Sequence, residues 1–261
     1  MRTNLTGAVL AGLALLGASN AAAQGDFQWH GPLTSGQTIE IKGINGDVRA
    51  TASSSGEAGV TATRTARRSN PADVRIEVVP HAGGVTICAV YPSASGQEAN
   101  RCAPGGEGRS STRDNDTVVH FEVRVPYGVG FVGRTVNGEI SGESLQGDAE
   151  AHTVNGSIRL TTTGTAVANT VNGSLNVTMG RADWPNGANF KTVNGGITLT
   201  LPGVFDAELS ANTLNGSIAA DFPITVTGQV TPRRLRGRIG NGGRELNLST
   251  VNGSIRLIRA Q

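Results

Sequence analysis

Six times between residues 135 and 253 the chain writes Thr-Val-Asn-Gly, once with Leu in place of Val. The copies are Thr135 to Gly138, Thr153 to Gly156, Thr170 to Gly173, Thr192 to Gly195, Thr213 to Gly216 (with Leu214) and Thr250 to Gly253. The asparagines stand at 137, 155, 172, 194, 215 and 252, so the steps are 18, 17, 22, 21 and 37 residues. A shorter cousin, Ile44-Asn45-Gly46, lies 92 residues before Asn137. A period near 20 is the mark of a repeat architecture, in which each unit buries its apolar face against its neighbours. On that period the 37-residue step reads as two units, with a degenerate coil around Arg233 to Gly243, and the 92-residue step as about five.

Counting from each Asn as zero, position +3 is Ile140, Ile158, Leu175, Ile197, Ile218 and Ile255. Position −4 is Gly133, Ala151, Ala168, Phe190, Ala211 and Leu248, and position −6 is Phe131, Ala149, Ala166, Ala188, Leu209 and Leu246. Thr at −2 continues that alternating set, whereas the direction of Val at −1 is left open by the corner. Period-two alternation on both sides of Asn-Gly means two short strands, each with one buried face. Asn-Gly suits positive φ, which two folds could use. One is an antiparallel hairpin meander with type I′ turns. The other, preferred because a hairpin does not explain the Thr-Val that precedes every corner, is an all-β β-solenoid, a single-stranded β-helix of ~17–22-residue coils. Stacked coils align identical side chains into ladders. The expected structural ladder is Asn137, Asn155, Asn172, Asn194, Asn215 and Asn252, in an interior setting. Seven coils from Asn137 to Asn252 would span about 29 Å.

Composition then becomes intelligible. Glycine supplies 37 of 261 residues and aromatics only 4%, a mixture that without a period would suggest disorder. Net charge is just +2 with 37% hydrophobic residues, which disorder does not favour. Glycine at corners and alanine in a thin core account for both extremes. Residues 1–23 read as a signal peptide: Arg2, the apolar stretch Ala8 to Leu16, and an A-x-A site at Ala21 to Ala23. Residues 24–130 read as a β-rich part made of degenerate coils or a cap, and residues 131–261 as the repeat solenoid. Export makes a Cys88–Cys102 disulfide the expectation, with two buried thiols as the alternative. It would close a loop of about 15 residues and be worth roughly 3 kcal/mol.

Chemical motifs are few. Gly128 to Gly133 matches G-x-G-x-x-G, but a strand and corner follow where a dinucleotide site needs a helix. Four Asn-Gly-Ser corners match the glycosylation acceptor as a by-product of Ser at +2. His30, His81, His120 and His152 show no metal-ligand spacing, so the reading holds no catalytic, cofactor-binding or metal residue and no cofactor. Glu139, Asp148 and Glu150 are the acids a carbohydrate-active β-helix enzyme would need to converge. Arg233, Arg234, Arg236, Arg238 and Arg244 cluster after Pro232 and form a possible patch for an anionic partner, although charged side chains also blunt sheet edges.

The stretch from Val123 to Gly142 (VRVPYGVGFVGRTVNGEISG), the iterated TVNGSI and the early GINGDV resemble the bacterial adhesin-like family DUF4097 and the related GIN head domain of autotransporter adhesins. The resemblance implies an exported or envelope-attached β-helical protein, in the periplasm or at the cell surface of a bacterium. It carries no catalytic residues. The expected function is therefore a structural or interaction role without catalysis, with an unknown envelope protein or polysaccharide as partner. The alternatives are an envelope-stress or signalling accessory and a carbohydrate-active enzyme. Nucleic acid is not expected as a partner, nor a transmembrane segment after signal cleavage.

Overall fold

The computed structural model describes residues 27–93, 96–226 and 231–261. The signal-peptide reading of residues 1–23 lies outside the described residues. Among the described residues there are 21 strands, one 3-10 turn (Pro71–Asp73) and no α-helix. The first seven strands are β1 (Phe27–Pro32), β2 (Thr38–Lys42), β3 (Val48–Ala52), β4 (Glu57–Thr65), β5 (Arg75–His81), β6 (Gly84–Val90) and β7 (Val118–Val125). Four strand pairs follow, each pair split by one Thr-Val-Asn-Gly: β8 (Gly130–Arg134) and β9 (Ile140–Leu145), β10 (Ala149–His152) and β11 (Ile158–Thr162), β12 (Ala166–Asn169) and β13 (Leu175–Met179), β14 (Ala188–Lys191) and β15 (Ile197–Leu201). The chain closes with β16 (Ala207–Asn215), β17 (Ile218–Ala220), β18 (Ile224–Val226), β19 (Arg234–Ile239), β20 (Glu245–Asn252) and β21 (Ile255–Arg259).

Each pair places one strand in each of two sheets. The ten-stranded sheet runs β1-β4-β7-β3-β9-β11-β13-β15-β21-β17, and the eleven-stranded sheet runs β18-β19-β16-β20-β14-β12-β10-β8-β2-β6-β5. Like strands pair in parallel and in register, for example Ile158 with Leu175 and Ala149 with Ala166. The corner asparagines form parallel bridges from Asn45 to Asn137 and on to Asn155, Asn172, Asn194 and Asn252. Asn215 pairs with Asn252. The corners are therefore stacked bends of a solenoid rather than hairpin turns.

Spatial order departs from chain order at both ends. The coil of Asn252 lies between those of Asn194 and Asn215, because β20 pairs with both β14 and β16 and β21 with both β15 and β17. The expected degenerate coil around Arg233 to Gly243 is absent. In its place β19 runs antiparallel to β16, carries β18 on its outer side, and returns the chain to insert its last coil one layer back. At the other end Asn45 stacks directly on Asn137, so the 92-residue step between them holds no intervening coils. Its residues form instead the antiparallel pairs β5–β6 and β4–β7, with β6 and β7 lying parallel against β2 and β3. The two sheets thus run without interruption across residue 130.

The core lies between the sheets. From one side come Ile140, Ile158, Leu160, Leu175, Val177, Ile197 and Leu199; from the other come Ala149, Ala151, Ala166, Ala168, Ala188 and Phe190, all buried. Each fully buried Ile or Leu contributes about 1.5–3 kcal/mol, and the alanines opposite leave only a narrow gap to fill. The 22-residue step between Asn172 and Asn194 accommodates a longer loop, which folds Trp184 into the core with its Nε1 donating to Ala166 O at 3.0 Å.

The glycine at each corner is required by stacking rather than by a left-handed backbone. No corner asparagine has positive φ, and only Gly46 and Gly173 do among the corner glycines. A Cβ on Gly156 would lie 1.9 Å from Gly138 O, and one on Gly195 would lie 2.0 Å from Gly173 O. Each corner rests its glycine on the carbonyl of the coil below, leaving no room for a side chain.

Candidate interaction surface

The Thr-Val-Asn-Gly corner divides its four residues between inside and outside. Thr135, Thr153, Thr170, Thr192, Thr213 and Thr250 are buried. Each hydroxyl donates to the corner-glycine carbonyl of the adjacent coil, at 3.1 Å for Thr135 to Gly46 and 2.7 Å for Thr213 to Gly253. Val and Asn both point outward, which is where strict alternation breaks. Each Asn Nδ2 donates to the next Asn Oδ1: Asn137 to Asn45, Asn155 to Asn137, Asn172 to Asn155, Asn194 to Asn172, Asn252 to Asn194 and Asn215 to Asn252, all at 2.7–2.8 Å. The ladder stands on the surface, not in the interior that the sequence reading expected, because the bend swings two consecutive side chains away from the core. Beside it runs an apolar row: Val136, Val154, Val171 and Val251 at 36–39% exposure, half-buried Val193, and Leu214 at 59%. In the first coil the equivalent Ile44 is buried.

These placements set different energies for the two ladders. Thr170→Val should cost about 1–3 kcal/mol, since it removes the hydroxyl that buried Thr170 donates to the half-buried Gly156 carbonyl. Asn172→Ala should cost less, about 0.5–1.5 kcal/mol, because water can replace its bonds. Denaturant midpoints of the two variants check this, and an Asn172→Ala loss as large as that of Thr170→Val would contradict it.

On the outer face of the eleven-stranded sheet, the position three before each Asn forms a column that includes Lys42, Arg134, His152, Asn169 and Lys191. Beside it Glu40 is buried at 5% exposure. Its Oε1 accepts from Arg134 Nε at 3.0 Å, and its Oε2 accepts from Thr86 Oγ1 at 2.9 Å and Gly105 N at 3.0 Å. Lys42 Nζ donates to Ala103 O and Gly105 O, each at 2.5 Å, and burial lowers its pKa. Arg134 Nη2 reaches Glu150 Oε1 at 2.5 Å, and His152 Nε2 lies 2.6 Å from that same oxygen. A carboxylate can only accept, so His152 carries its proton on Nε2. The Cys88–Cys102 disulfide (Cα–Cα 5.7 Å) anchors the segment that covers Glu40 and Lys42, since Cys88 is the register partner of Lys42. This network satisfies its members among themselves and clamps the loop onto the sheet.

Glu150 gives the network an acid sensitivity. Its hydrogen bond to His152 chiefly, and the charge of Arg134 in addition, hold its pKa below the ordinary 4.5 against the opposing effect of burial. A depressed folded-state pKa contributes stability above the unfolded value, which is lost as pH falls through the folded one. Midpoints measured from pH 7 downward should therefore drop more steeply below about 4.5 for the unmodified protein than for Glu150→Gln. Parallel curves would show that the carboxylate is not held by these partners.

The three acids singled out from the sequence do not converge. Glu150 is tied to Arg134 and His152 on the eleven-stranded sheet. Asp148 stands at the opposite bend, holding Thr165 N at 2.8 Å and Arg181 Nη2 at 3.4 Å. Glu139 follows its corner into the ten-stranded sheet, beside Ser141 and Arg159. Among the described residues no group of three or more His, Cys, Asp or Glu is placed to hold a metal. The arginines divide: Arg234, Arg236 and Arg238 project from one face of β19, whereas Arg233 precedes the strand and Arg244 follows in the turn to β20. Among the described residues none of the five has an ion-pair partner.

Stacked two-strand coils, in-register ladders and antiparallel ends define a capped two-sheet β-solenoid. Residues 135–257 match the Toastrack DUF4097 family. The structure is similar to a candidate cell adhesion protein from Clostridium sporogenes, with 10% identity, 90% of this chain and 99% of that one covered, and a TM-score of 0.45. It is also similar to a candidate adhesin from Bacteroides fragilis, with 12% identity, the same coverages and a TM-score of 0.37. No curated protein matches the chain.

Proposed function

We propose that this chain is an exported cell-envelope protein, in the periplasm or at the cell surface, that serves as a rigid adhesin-like interaction scaffold and not as a catalyst. The observation that carries the reading is the continuous surface ladder of seven asparagines with its apolar companion row. A stack of this kind presents the same chemistry at about 4.8 Å intervals over an extended length, which suits a long partner better than a small substrate. The dispersal of Glu139, Asp148 and Glu150 over different faces supports the same reading, because glycosidic cleavage needs paired carboxylates. The disulfide agrees with an oxidising compartment. The test is cell fractionation followed by capture of envelope proteins and polysaccharides on the immobilised protein. Recovery from the envelope with a specific, reversible partner is the expected result. A cytoplasmic location, or turnover of a captured polysaccharide, would overturn it.

A further inference from the structure

The outer face of four adjacent strands, β19, β16, β20 and β14, carries an array that the sequence alone does not assemble. In one column Arg234 faces Asn212, Asn212 faces Ser249, and Ser249 faces Lys191. In the next column Arg236 faces Ser210, Ser210 faces Asn247, and Asn247 faces Asn189. These eight side chains alternate outward from buried neighbours such as Gly237, Leu209, Leu248 and Phe190. They include three cations, three amides and two hydroxyls, with no carboxylate and no apolar group. Among the described residues Lys191, Arg234 and Arg236 have no ion-pair partner. The third column, Arg238 with Glu208 and Glu245, contains acids and bounds the array.

We infer that this face is a binding surface for a linear acidic polysaccharide, one bearing carboxylates along its length. The inference rests on the scaffold reading above and names the partner's chemistry. The neighbouring guanidinium groups of Arg234 and Arg236, without ion-pair partners, repel one another, and an anion relieves that repulsion while accepting charge-assisted hydrogen bonds from them and, further along the column, from Lys191. Edge protection does not by itself account for them, because the arginines project from the sheet's face. The amides and hydroxyls between the cations match sugar hydroxyls, which both donate and accept. A glycan lying along the stack would meet a fresh strand every 4.8 Å or so, close to the length of one sugar in an extended chain. A lipid surface would call for apolar side chains beside the basic ones, and the array has none.

The experiment is affinity electrophoresis of the purified protein in gels containing polygalacturonate or neutral dextran, with phosphatidylglycerol vesicles as a third arm. Polygalacturonate should retard the protein, and added salt should weaken the effect. The triple variant K191Q/R234Q/R236Q should bind about tenfold or more weakly while melting like the unmodified protein. Arg159→Gln, on the outer face of the other sheet, should bind normally. Equal retardation by dextran, preferential binding to the vesicles, an unaffected triple variant, or no retardation by polygalacturonate would each overturn the assignment. Should the triple variant melt early, Arg234→Gln alone is read in its place, with weakened polygalacturonate binding expected and unchanged binding contradicting the assignment. If polygalacturonate fails while another envelope component is captured, this assignment falls and the scaffold reading stands. If a captured polysaccharide is turned over, the scaffold reading falls.

Discussion

Gly156→Ala is expected to destabilise the protein by about 4 kcal/mol or more, a loss at the extreme of what single substitutions do. The added methyl would lie 1.9 Å from Gly138 O, 2.5 Å from Gly138 C and 3.0 Å from Glu139 N. All three are backbone atoms of a neighbouring corner, itself held by Thr153 Oγ1 donating to Gly138 O at 3.0 Å. No rotamer change relieves such a contact; the two coils must separate, and their ladder bonds separate with them. Gly56→Ala is the matched control, since nothing lies within 4 Å of its Cβ position, and it should change stability by no more than about 0.5 kcal/mol. Equal midpoints for the two variants would mean that the corners do not rest on one another.

Removal of residues 244–261 should have a still wider effect, because the last coil in sequence is an inner layer in space. It deletes β20 and β21, and with them Leu246, Leu248, Ile255 and Leu257, each fully buried and each worth about 1.5–3 kcal/mol. Strands β14 and β15 would lose their neighbours on one side, while β16, β17 and the β18–β19 hairpin would lose their attachment to the stack. Hydrogen exchange should show protection lost across 207–239 while coils before Asn172 stay protected. If 207–239 kept its protection, the coils would be stacked in chain order.

Local structure was legible in the sequence because one coil repeats one set of instructions. Thr inward, Ile or Leu at +3 inward (Ile218 only half-buried) and buried residues at −4 and −6, about half of them alanine, follow from alternation and hold in the structure. The order of coils was not legible, since spacing along a chain records how much sequence separates two corners and not which lie together. The 37-residue step looked like two periods, yet it holds a hairpin and a return. The reason for Asn-Gly was also misread: a turn-forming dipeptide suggested positive φ, but the glycine answers to the carbonyl below it. The Glu40 network was missed because Thr86, Gly105 and Arg134 are distant in sequence. Its signal was nonetheless present, for Lys42, Arg134, His152 and Lys191 all stand three residues before a corner Asn. Aligning the repeats on Asn finds that column and continues it through Ser249 and Asn212, whereas Arg234 joins it only through the pairing of β19 with β16.

The claim on which the rest depends is that the corners stack in the order Asn45, Asn137, Asn155, Asn172, Asn194, Asn252, Asn215. Cysteine cross-linking tests it directly. Adjacent layers sit about 4.8 Å apart, within the Cα separation a disulfide spans, whereas two layers exceed the limit of about 7 Å. Oxidation of the N194C/N252C variant, followed by proteolysis and mass spectrometry, should give a bridge between the two introduced cysteines beside the native one, and N194C/N215C should give none. A bridge in N194C/N215C with none in N194C/N252C would contradict the inserted coil.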